Sequence, residues 1–206
     1  MTLSISNKVE KEIRCQENWL FFKRWLKHPF QLGTLAPISV KLANFTASFI
    51  QNVEGYYVEI GAGTGRLSRA LLHKNIDPEK LALVELDPFF CGFLRSSLSK
   101  FLLNKKSPHI IEGDATHLRK LLPKDFIGKV DTVFSVIPLM YLSPSMRMAL
   151  MEAAFQILKP GGSVIHITYS PFSPLNFTDH ISQHCKGKLW LNFPSGFVWH
   201  YQKTTI

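Results

Sequence analysis

The sequence has little cysteine, a shortage of acidic side chains and no long apolar run. Cys15, Cys91 and Cys185 stand far apart and form no C-x-x-C spacing. The sequence therefore predicts neither a disulfide framework nor a metal site, and it is typical of a reducing cytoplasm. No stretch reaches the roughly 18 apolar residues of a membrane span, and the first residues do not resemble a signal peptide. We expect any contact with a membrane to be made from its surface.

Charge is the first positive feature. Lys and Arg outnumber Asp and Glu by 24 to 15, which gives a net charge of +9. This charge favours encounter with anionic partners such as RNA, acidic lipid or a phosphorylated substrate, without choosing among them. The 206 residues are 46% hydrophobic, enough for one buried core.

Apolar extended runs alternate with helical periodicity after Pro29. This alternation predicts an α/β fold, with a mostly parallel sheet and helices on both faces. Two further runs, KLWLNF (188–193) and GFVWHYQK (196–203), flank Pro194 and predict a closing antiparallel hairpin. The other predicted strands are 56–61, 81–87, 109–114, 130–138 and 163–170, and the predicted helices are 66–72, 89–103 and 147–159.

A glycine-rich loop joins the first of these strands to a helix in VEIGAGTGRLSRALL (58–72). Such a loop turns backbone N–H groups toward a ligand, and side chains at Gly61, Gly63 or Gly65 would block the ligand's approach. The glycines read G-x-G-x-G, and Arg66 occupies the sixth position, where a dinucleotide site has its third glycine. The loop therefore favours a nucleoside cofactor that lacks a pyrophosphate.

Two carboxylates follow at the ends of later strands. Glu85 ends the second strand, where it can accept hydrogen bonds from both ribose hydroxyls. Asp114 ends the third strand in IIEGDATHL and can accept from an exocyclic amine such as that of adenine. The alternatives are that Glu85, with Asp87, caps the next helix, and that Asp114 is a helix N-cap.

The ordered set of E-x-G-x-G-x-G, a strand-terminal Glu and a Gly-Asp-Ala resembles the cofactor site of class I S-adenosylmethionine-dependent methyltransferases. The resemblance implies a Rossmann-like fold. It places Glu59 near the methionine amino group, Gly61 and Gly63 beneath the cofactor, Glu85 at the ribose and Asp114 at the adenine. The implied cofactor-binding residues are Glu59, Gly61, Ala62, Gly63, Gly65, Glu85, Leu86, Asp114, Ala115 and Ser135.

The methyl acceptor is expected after the fourth strand, in VFSVIPLMYLSP (133–144). Enzymes that methylate adenine or glutamine nitrogen carry Asn or Asp, any residue, Pro and then an aromatic at this place, because an amide must accept from the target amine while a ring stacks on it. Here the four positions are Val136, Ile137, Pro138 and Leu139. An rRNA adenine dimethyltransferase, which VELDP (84–88) also resembles, is therefore an alternative that lacks its usual motif.

Nearly the whole chain, from about Phe21 to Lys203, resembles the bacterial phospholipid N-methyltransferases. The particular parts are an entry segment with Gln31, Gly33 and Pro37, and the ending NFPSGFVW (192–199). This resemblance implies stepwise methylation of phosphatidylethanolamine toward phosphatidylcholine. His166 departs from the family, which commonly has glutamine in the fifth strand.

The N-terminal residues 1–30 predict an amphipathic helix that precedes a methyltransferase domain at 31–206. At 100° per residue its bulky side chains share an arc of roughly 160°, opposite its basic ones. Aromatic rings opposite cations suit the surface of an anionic membrane, which places the protein in the cytoplasm, at the inner face of the membrane. The alternative is a helix that packs its aromatic face on the domain. The apolar face holds Trp19, Phe21, Phe22, Trp25 and Leu26, and the basic face holds Lys23, Arg24, Lys27 and His28.

Three residues are candidates for the catalytic role. Tyr169 and Tyr141 follow the fifth and fourth strands, where hydroxyls or ring faces can hold an ammonium-like group. His166 can contact a headgroup phosphate or accept a proton. Core or rim packing is the alternative for each. Arg147, His180, His184 and Lys186 are candidate phosphate contacts by charge.

Other functions remain open from the sequence alone. One is methylation of a small-molecule amine, and another is a cofactor- or membrane-binding module without catalysis. A third is RNA binding through the net charge of +9, although the sequence has no aromatic-basic RNA motif and we expect no nucleic-acid partner.

Overall fold

The computed structural model describes residues 9–13, 16–17, 38–103, 106–175, 181–189 and 195–203. At its centre is one seven-stranded sheet. In chain order the strands are β1 Tyr56–Ile60, β2 Leu81–Glu85, β3 His109–Glu112, β4 Val130–Ser135, β5 Leu158–Thr168, β6 Ile181–Leu189 and β7 Gly196–Lys203. Their order across the sheet is β3-β2-β1-β4-β5-β7-β6. Strands β1 to β5 are parallel, and β7 runs antiparallel to both β5 and β6.

Helices cover both faces of the sheet. They are α1 Val40–Ala47, α2 Arg66–Leu72, α3 Pro88–Phe101, α4 Leu118–Leu121 and α5 Pro144–Ile157. Sequence signals fix several of their starts. Asp87 accepts a hydrogen bond from the Phe89 N–H at 3.0 Å, and Ser143 accepts from the Met146 N–H at 3.2 Å. Each cap precedes a proline at the first helical position, which has no N–H to satisfy.

Two apolar cores lie on opposite faces of the sheet. One core packs Val133 and Val164 against α5. The other packs Phe134 and Ile165 against α1, α2 and α3, and contains Leu42. Neighbouring residues in a strand point to opposite faces, which explains why β4 and β5 read as continuous apolar runs. Burial of each such side chain stabilises the fold by about 1.5–3 kcal/mol.

The closing hairpin is present, but its first strand lies upstream of the prediction. Of the predicted run 188–193, Lys188 and Leu189 belong to β6, which starts at Ile181; residues 190–194 lie outside the described part. Strand β6 is at the sheet edge, and its ISQHCKGKL sequence is mostly polar. An edge strand is held by its pairing with β7 and needs no alternating apolar face, so periodicity gave no signal. No helix among the described residues is long and apolar enough to cross a membrane.

Part of the N-terminal segment packs on the domain. Residues 9–13 and 16–17 are helical, Ile13 is buried, and Glu17 is fully buried. The aromatic and basic faces predicted from Trp19 to His28 lie outside the described residues, as does the entry segment that ends at Pro37.

Candidate cofactor site and acceptor edge

The loop between β1 and α2 is shaped by three glycines in the left-handed region. Their φ angles are +73° at Gly61, +54° at Gly63 and +79° at Gly65. A Cβ on Gly61 would lie 2.8 Å from Ile137 Cγ1, and one on Gly65 would lie 2.6 Å from Leu94 Cδ2. A Cβ on Gly63 meets no atom within 4 Å. Only Gly63 therefore leaves open space for a ligand, whereas the protein's own packing restricts the other two.

Glu85 ties this loop to the next one. One carboxylate oxygen accepts from the Gly63 N–H at 2.7 Å, and the other accepts from the Asp87 N–H at 3.0 Å. Burial raises the pKa of Glu85, and the bonds from these two amides oppose that shift. The helix cap itself comes from Asp87, and Glu85 adds a hydrogen bond to the N–H of that cap residue. A carboxylate has about four acceptor positions, so these bonds leave Glu85 the capacity to accept from a ligand as well.

Glu59, in β1, lies beneath the glycine loop and is fully buried. Its Oε2 accepts from the Ser68 hydroxyl at 2.6 Å, while Oε1 has no hydrogen-bond partner among the described residues. Burial raises the pKa of Glu59 to about 8, although Ser68 and the Arg69 charge act in the opposite direction. A buried acceptor without a partner is costly unless a donor arrives. The site therefore suits a ligand with a cationic donor.

Asp114 follows β3 at the same edge of the sheet. The Gly113 N–H donates to the Glu85 carbonyl at 3.0 Å, which brings the two strand ends together. Asp114 is exposed, and its Oδ1 accepts from the Thr116 N–H at 2.9 Å. The N-cap alternative is therefore present in the structure, and it uses one carboxylate oxygen. Leu86 is 69% exposed at this edge.

Ser135 and His166 form a buried pair at the ends of β4 and β5. Ser135 Oγ lies 3.1 Å from His166 Nδ1, and the two residues are register partners. Burial lowers the pKa of His166 to about 3. An imidazole with so low a pKa stays neutral and is a poor proton acceptor at neutral pH. The structure therefore favours a positioning role for His166 over the proton-accepting role considered from the sequence.

The two candidate tyrosines occupy different environments. Tyr169 packs against the core that contains α1 and α2, and burial raises its pKa while the Arg66 charge lowers it. Tyr141 is 71% exposed at the end of the short 3₁₀ helix Leu139–Tyr141. Both follow the carboxyl ends of parallel strands, as expected, but only Tyr169 is partly sheltered from water.

The predicted phosphate contacts are dispersed. Arg147 donates to the carbonyls of Leu142 and Pro174, so its guanidinium joins two loops. His184 and Lys186 are exposed on edge strand β6. His180 lies outside the described residues.

Comparison with known proteins identifies this arrangement. Residues 58–162, which include the glycine loop, Glu85 and Asp114, match the methyltransferase domain family. The chain belongs to this family. The methyltransferase is 28% identical to the ornithine lipid N-methyltransferase of Singulisphaera acidiphila over 156 residues, which cover 75% of this chain and 79% of that relative.

Solved structures confirm the predicted Rossmann-like methyltransferase fold. An O-methyltransferase from Bacillus cereus in complex with S-adenosylhomocysteine aligns with a TM-score of 0.68 at 13% identity, over 98% of this chain and 91% of that one. Magnesium protoporphyrin IX methyltransferase from Synechocystis, with bound S-adenosylmethionine, aligns with a TM-score of 0.60 at 15% identity, over 80% of this chain and 78% of that one. The methyltransferase uses S-adenosylmethionine.

The residues of this methyltransferase fit that cofactor. The unpartnered Oε1 of Glu59 suits an amino group, and the open space at Gly63 admits a ligand against the backbone. Ala62 and Ala115 are buried small residues beside the loop and after Asp114. When bound, the cofactor supplies a methyl group activated by a sulfonium.

Sequence reasoning missed an ion-pair cluster behind the loop. Glu17 pairs with Arg69 and, at 2.8 Å, with Arg66. Arg69 also donates to the Thr64 carbonyl within the glycine loop at 3.2 Å. Glu17 lies about fifty positions from its partners, so no local pattern could have revealed the pairing; the two arginines on one turn of α2 were the available signal.

Proposed function

We propose that this methyltransferase transfers methyl groups to the amine of a membrane phospholipid, converting phosphatidylethanolamine and its mono- and dimethyl forms toward phosphatidylcholine. The observation that carries the proposal is the similarity to an ornithine lipid N-methyltransferase over 75% of the chain. That relative acts on an amine carried by a lipid, according to its name. The choice of phosphatidylethanolamine rests on the sequence resemblance described above.

Within this proposal the cofactor-binding residues have separate tasks. Glu59 accepts from the amino group of the methionine part, and Gly63 gives the cofactor room against the loop. Glu85, already fixed by two backbone amides, accepts from the ribose hydroxyls with its remaining lone pairs. Asp114 accepts from the adenine amine with the oxygen that the N-cap leaves available. Leu86 lies against the base.

The acceptor side has little need of a strong base. Methyl transfer to an amine depends on the position of an unprotonated nitrogen, in line with the bond that breaks. Residues 136–139 after β4 have no side-chain amide that could accept from a base amine, which disfavours adenine as the methyl acceptor. Tyr169 and Tyr141 hold the ammonium-like headgroup, and His166 fixes Ser135 beneath it.

Membrane association through residues 1–30 belongs to the same proposal. The helical residues 9–13 and 16–17 pack on the domain through Ile13 and Glu17. In this proposal the aromatic and basic residues from Trp19 to His28 meet an anionic membrane. The protein would then act at the inner face of the membrane from the cytoplasm.

Methyl transfer from labelled S-adenosylmethionine tests the acceptor class. The protein is incubated with vesicles of phosphatidylethanolamine, with vesicles that contain ornithine lipid, and with ribosomal RNA, and each product is separated. We expect label in methylated phosphatidylethanolamine. Label in the ornithine lipid alone would move the assignment to that lipid, and label in the RNA alone would contradict lipid methylation.

A further inference from the structure

Exposed apolar side chains concentrate at one edge of the sheet. Nine large apolar side chains among the described residues are exposed. Two of them, Val53 and Leu103, lie at the amino edge, and Met148 lies further along α5. The other six follow the carboxyl ends of β2, β4 or β5, which is the edge that holds the cofactor site. They are Leu86, Phe89, Met140, Tyr141, Met146 and Phe172.

Four of these six, Met140, Tyr141, Met146 and Phe172, form what we term the apolar rim. Met140 is 45% exposed, Tyr141 71% and Phe172 76%. Such exposure costs free energy in water, because each side chain leaves much of its apolar surface hydrated. Several exposed apolar side chains at one edge of a folded protein commonly mark an interaction site.

Arg147 holds the loops of the apolar rim together. Its guanidinium donates to the carbonyls of Met140 at 3.0 Å, Leu142 at 2.9 Å and Pro174 at 3.0 Å. One side chain thus joins the loop after β4 to the loop after β5 and keeps both beside the start of α5.

The loop that carries Phe172 is further fixed by side-chain turns. Ser170 Oγ accepts from the Phe172 N–H at 3.1 Å, and Ser173 Oγ lies 2.9 Å from Tyr201 Oη. Phe172 therefore belongs to a turn that is fixed by hydrogen bonds, and its ring is exposed in that turn.

We propose that the apolar rim is the surface by which the methyltransferase inserts into a lipid bilayer around the mouth of its active site. This inference rests on the proposed function, since it takes the acceptor amine to belong to a bilayer lipid. A lipid headgroup must approach the edge where β4 and β5 end, while its acyl chains remain in the bilayer. Apolar side chains at that edge can enter the acyl boundary and bring the headgroup to the site without extraction of the whole lipid.

The rim differs from the predicted helix of residues 1–30 in what it contributes. The predicted helix combines aromatic residues with cations, and it would attract the protein to anionic headgroups. The rim residues carry no charge, so their contribution does not depend on headgroup charge. The rim acts at the site itself and serves the delivery of lipid-borne substrate.

The test compares two substrates of the same headgroup. One is phosphatidylethanolamine in mixed phosphatidylethanolamine and phosphatidylglycerol vesicles, and the other is dihexanoyl phosphatidylethanolamine below its critical micelle concentration. The rim variant is Met140→Ser with Phe172→Ser. The control is Val53→Ser with Leu103→Ser, which removes exposed apolar groups from the opposite edge.

We expect the ratio of the vesicle rate to the soluble rate to fall at least tenfold in the rim variant and to stay unchanged in the control. Affinity for S-adenosylhomocysteine stays unchanged in both. An unchanged ratio, or equal loss on both substrates, would overturn the proposal. If the wild type methylates neither substrate, the proposed function fails by itself, and vesicle sedimentation then decides on the rim. Weaker sedimentation of the rim variant supports insertion, and equal sedimentation overturns it.

Discussion

At the scale of single residues, Gly63 and Gly128 offer a matched pair. Both have positive φ, +54° and +75°, and a Cβ on either meets no atom within 4 Å. They differ in place, because Gly63 lies in the loop of the proposed cofactor site and Gly128 lies before β4, at the opposite edge. The two positions separate backbone strain from loss of ligand space.

We predict that Gly63→Ala and Gly128→Ala each lower the free energy of unfolding by about 1 kcal/mol, because alanine is strained in the left-handed region. Only Gly63→Ala should weaken S-adenosylhomocysteine binding, by on the order of tenfold. Urea unfolding and calorimetry measure the two effects. Equal affinities in both variants would remove Gly63 from the cofactor site.

Glu59 predicts a pH dependence of cofactor binding. Its pKa of about 8 lies above the ordinary value of 4.5, so the free protein holds the carboxyl protonated at neutral pH. Below this pKa the carboxyl group of Glu59 must lose its proton before it pairs with an amino group. Affinity for S-adenosylhomocysteine should therefore rise as pH increases from about 5 to about 8, with proton release.

The Glu59→Gln variant tests how this carboxyl group affects both the stability of the free protein and the affinity for S-adenosylhomocysteine. In the wild type, the unfolded chain ionises Glu59 above pH 4.5 while the folded chain does not, so the Glu59 contribution to stability falls from there to about pH 8. We expect Glu59→Gln to raise the melting temperature of the free protein at pH 8 relative to the wild type and to flatten the pH dependence of affinity. An affinity profile that still rises in this variant would contradict the assignment.

Glu85→Ala removes both the proposed ribose acceptor and the bond to the Gly63 N–H. We predict a loss of about 1 to 3 kcal/mol in S-adenosylhomocysteine binding, because charge-assisted hydrogen bonds are lost. Asp114→Ala should lose somewhat less. The control is Asp77→Ala, which removes a capping carboxylate at the opposite edge. Calorimetry on a folded Glu85→Ala protein that shows unchanged affinity would exclude the ribose role.

Local motifs predicted the glycine loop and the carboxylates at the strand ends, whereas the contacts that hold these residues in place were not predictable. Glu59, Gly63 and Glu85 follow one another in an order that local motifs reveal. In the sequence, Ser68 looks like an ordinary helix residue, although it donates to Glu59. Ile137, which follows β4, leaves no room for a side chain at Gly61. Such contacts depend on which elements become neighbours.

At the scale of elements, the buried Glu17 joins the N-terminal segment to α2. Two arginines of α2 share its carboxylate, and Arg69 continues to the Thr64 carbonyl. Loss of one partner leaves buried charge uncompensated, which is more costly than loss of a surface pair.

We predict that Glu17→Ala lowers the free energy of unfolding by about 3 kcal/mol. Glu12→Ala, at an exposed position of the same segment, should change it by less than about 0.5 kcal/mol. Urea unfolding of both variants measures the difference. Equal stabilities would show that the N-terminal segment does not depend on this cluster.

Helix α2 and strand β6 show which elements a local sequence pattern can predict. Helix α2 covers the predicted 66–72 because apolar spacing and the glycine loop define it. Most of strand β6 was not predicted, because its nine residues at the sheet edge are mostly polar and depend on pairing with β7 for their conformation. Tertiary pairing, rather than local propensity, determines such a strand.

At the scale of the whole molecule, one edge of the sheet combines the functional features. The glycine loop, the carboxylates Glu85 and Asp114 and the apolar rim all follow carboxyl ends of parallel strands. Parallel α/β sheets bind ligands at this edge. The net charge of +9 adds attraction to an anionic surface. This distribution agrees with the proposal that the enzyme binds its cofactor and meets a lipid surface at the same edge of the sheet.

The most direct test is lipid mass spectrometry after expression in a bacterial host whose membrane contains phosphatidylethanolamine but no methylated form of it. We predict that wild-type protein produces mono-, di- or trimethylated phosphatidylethanolamine and that the Glu85→Ala variant, expressed to the same level, produces much less. A host lipid profile that stays unmethylated with folded, cofactor-binding wild-type protein would contradict phosphatidylethanolamine methylation.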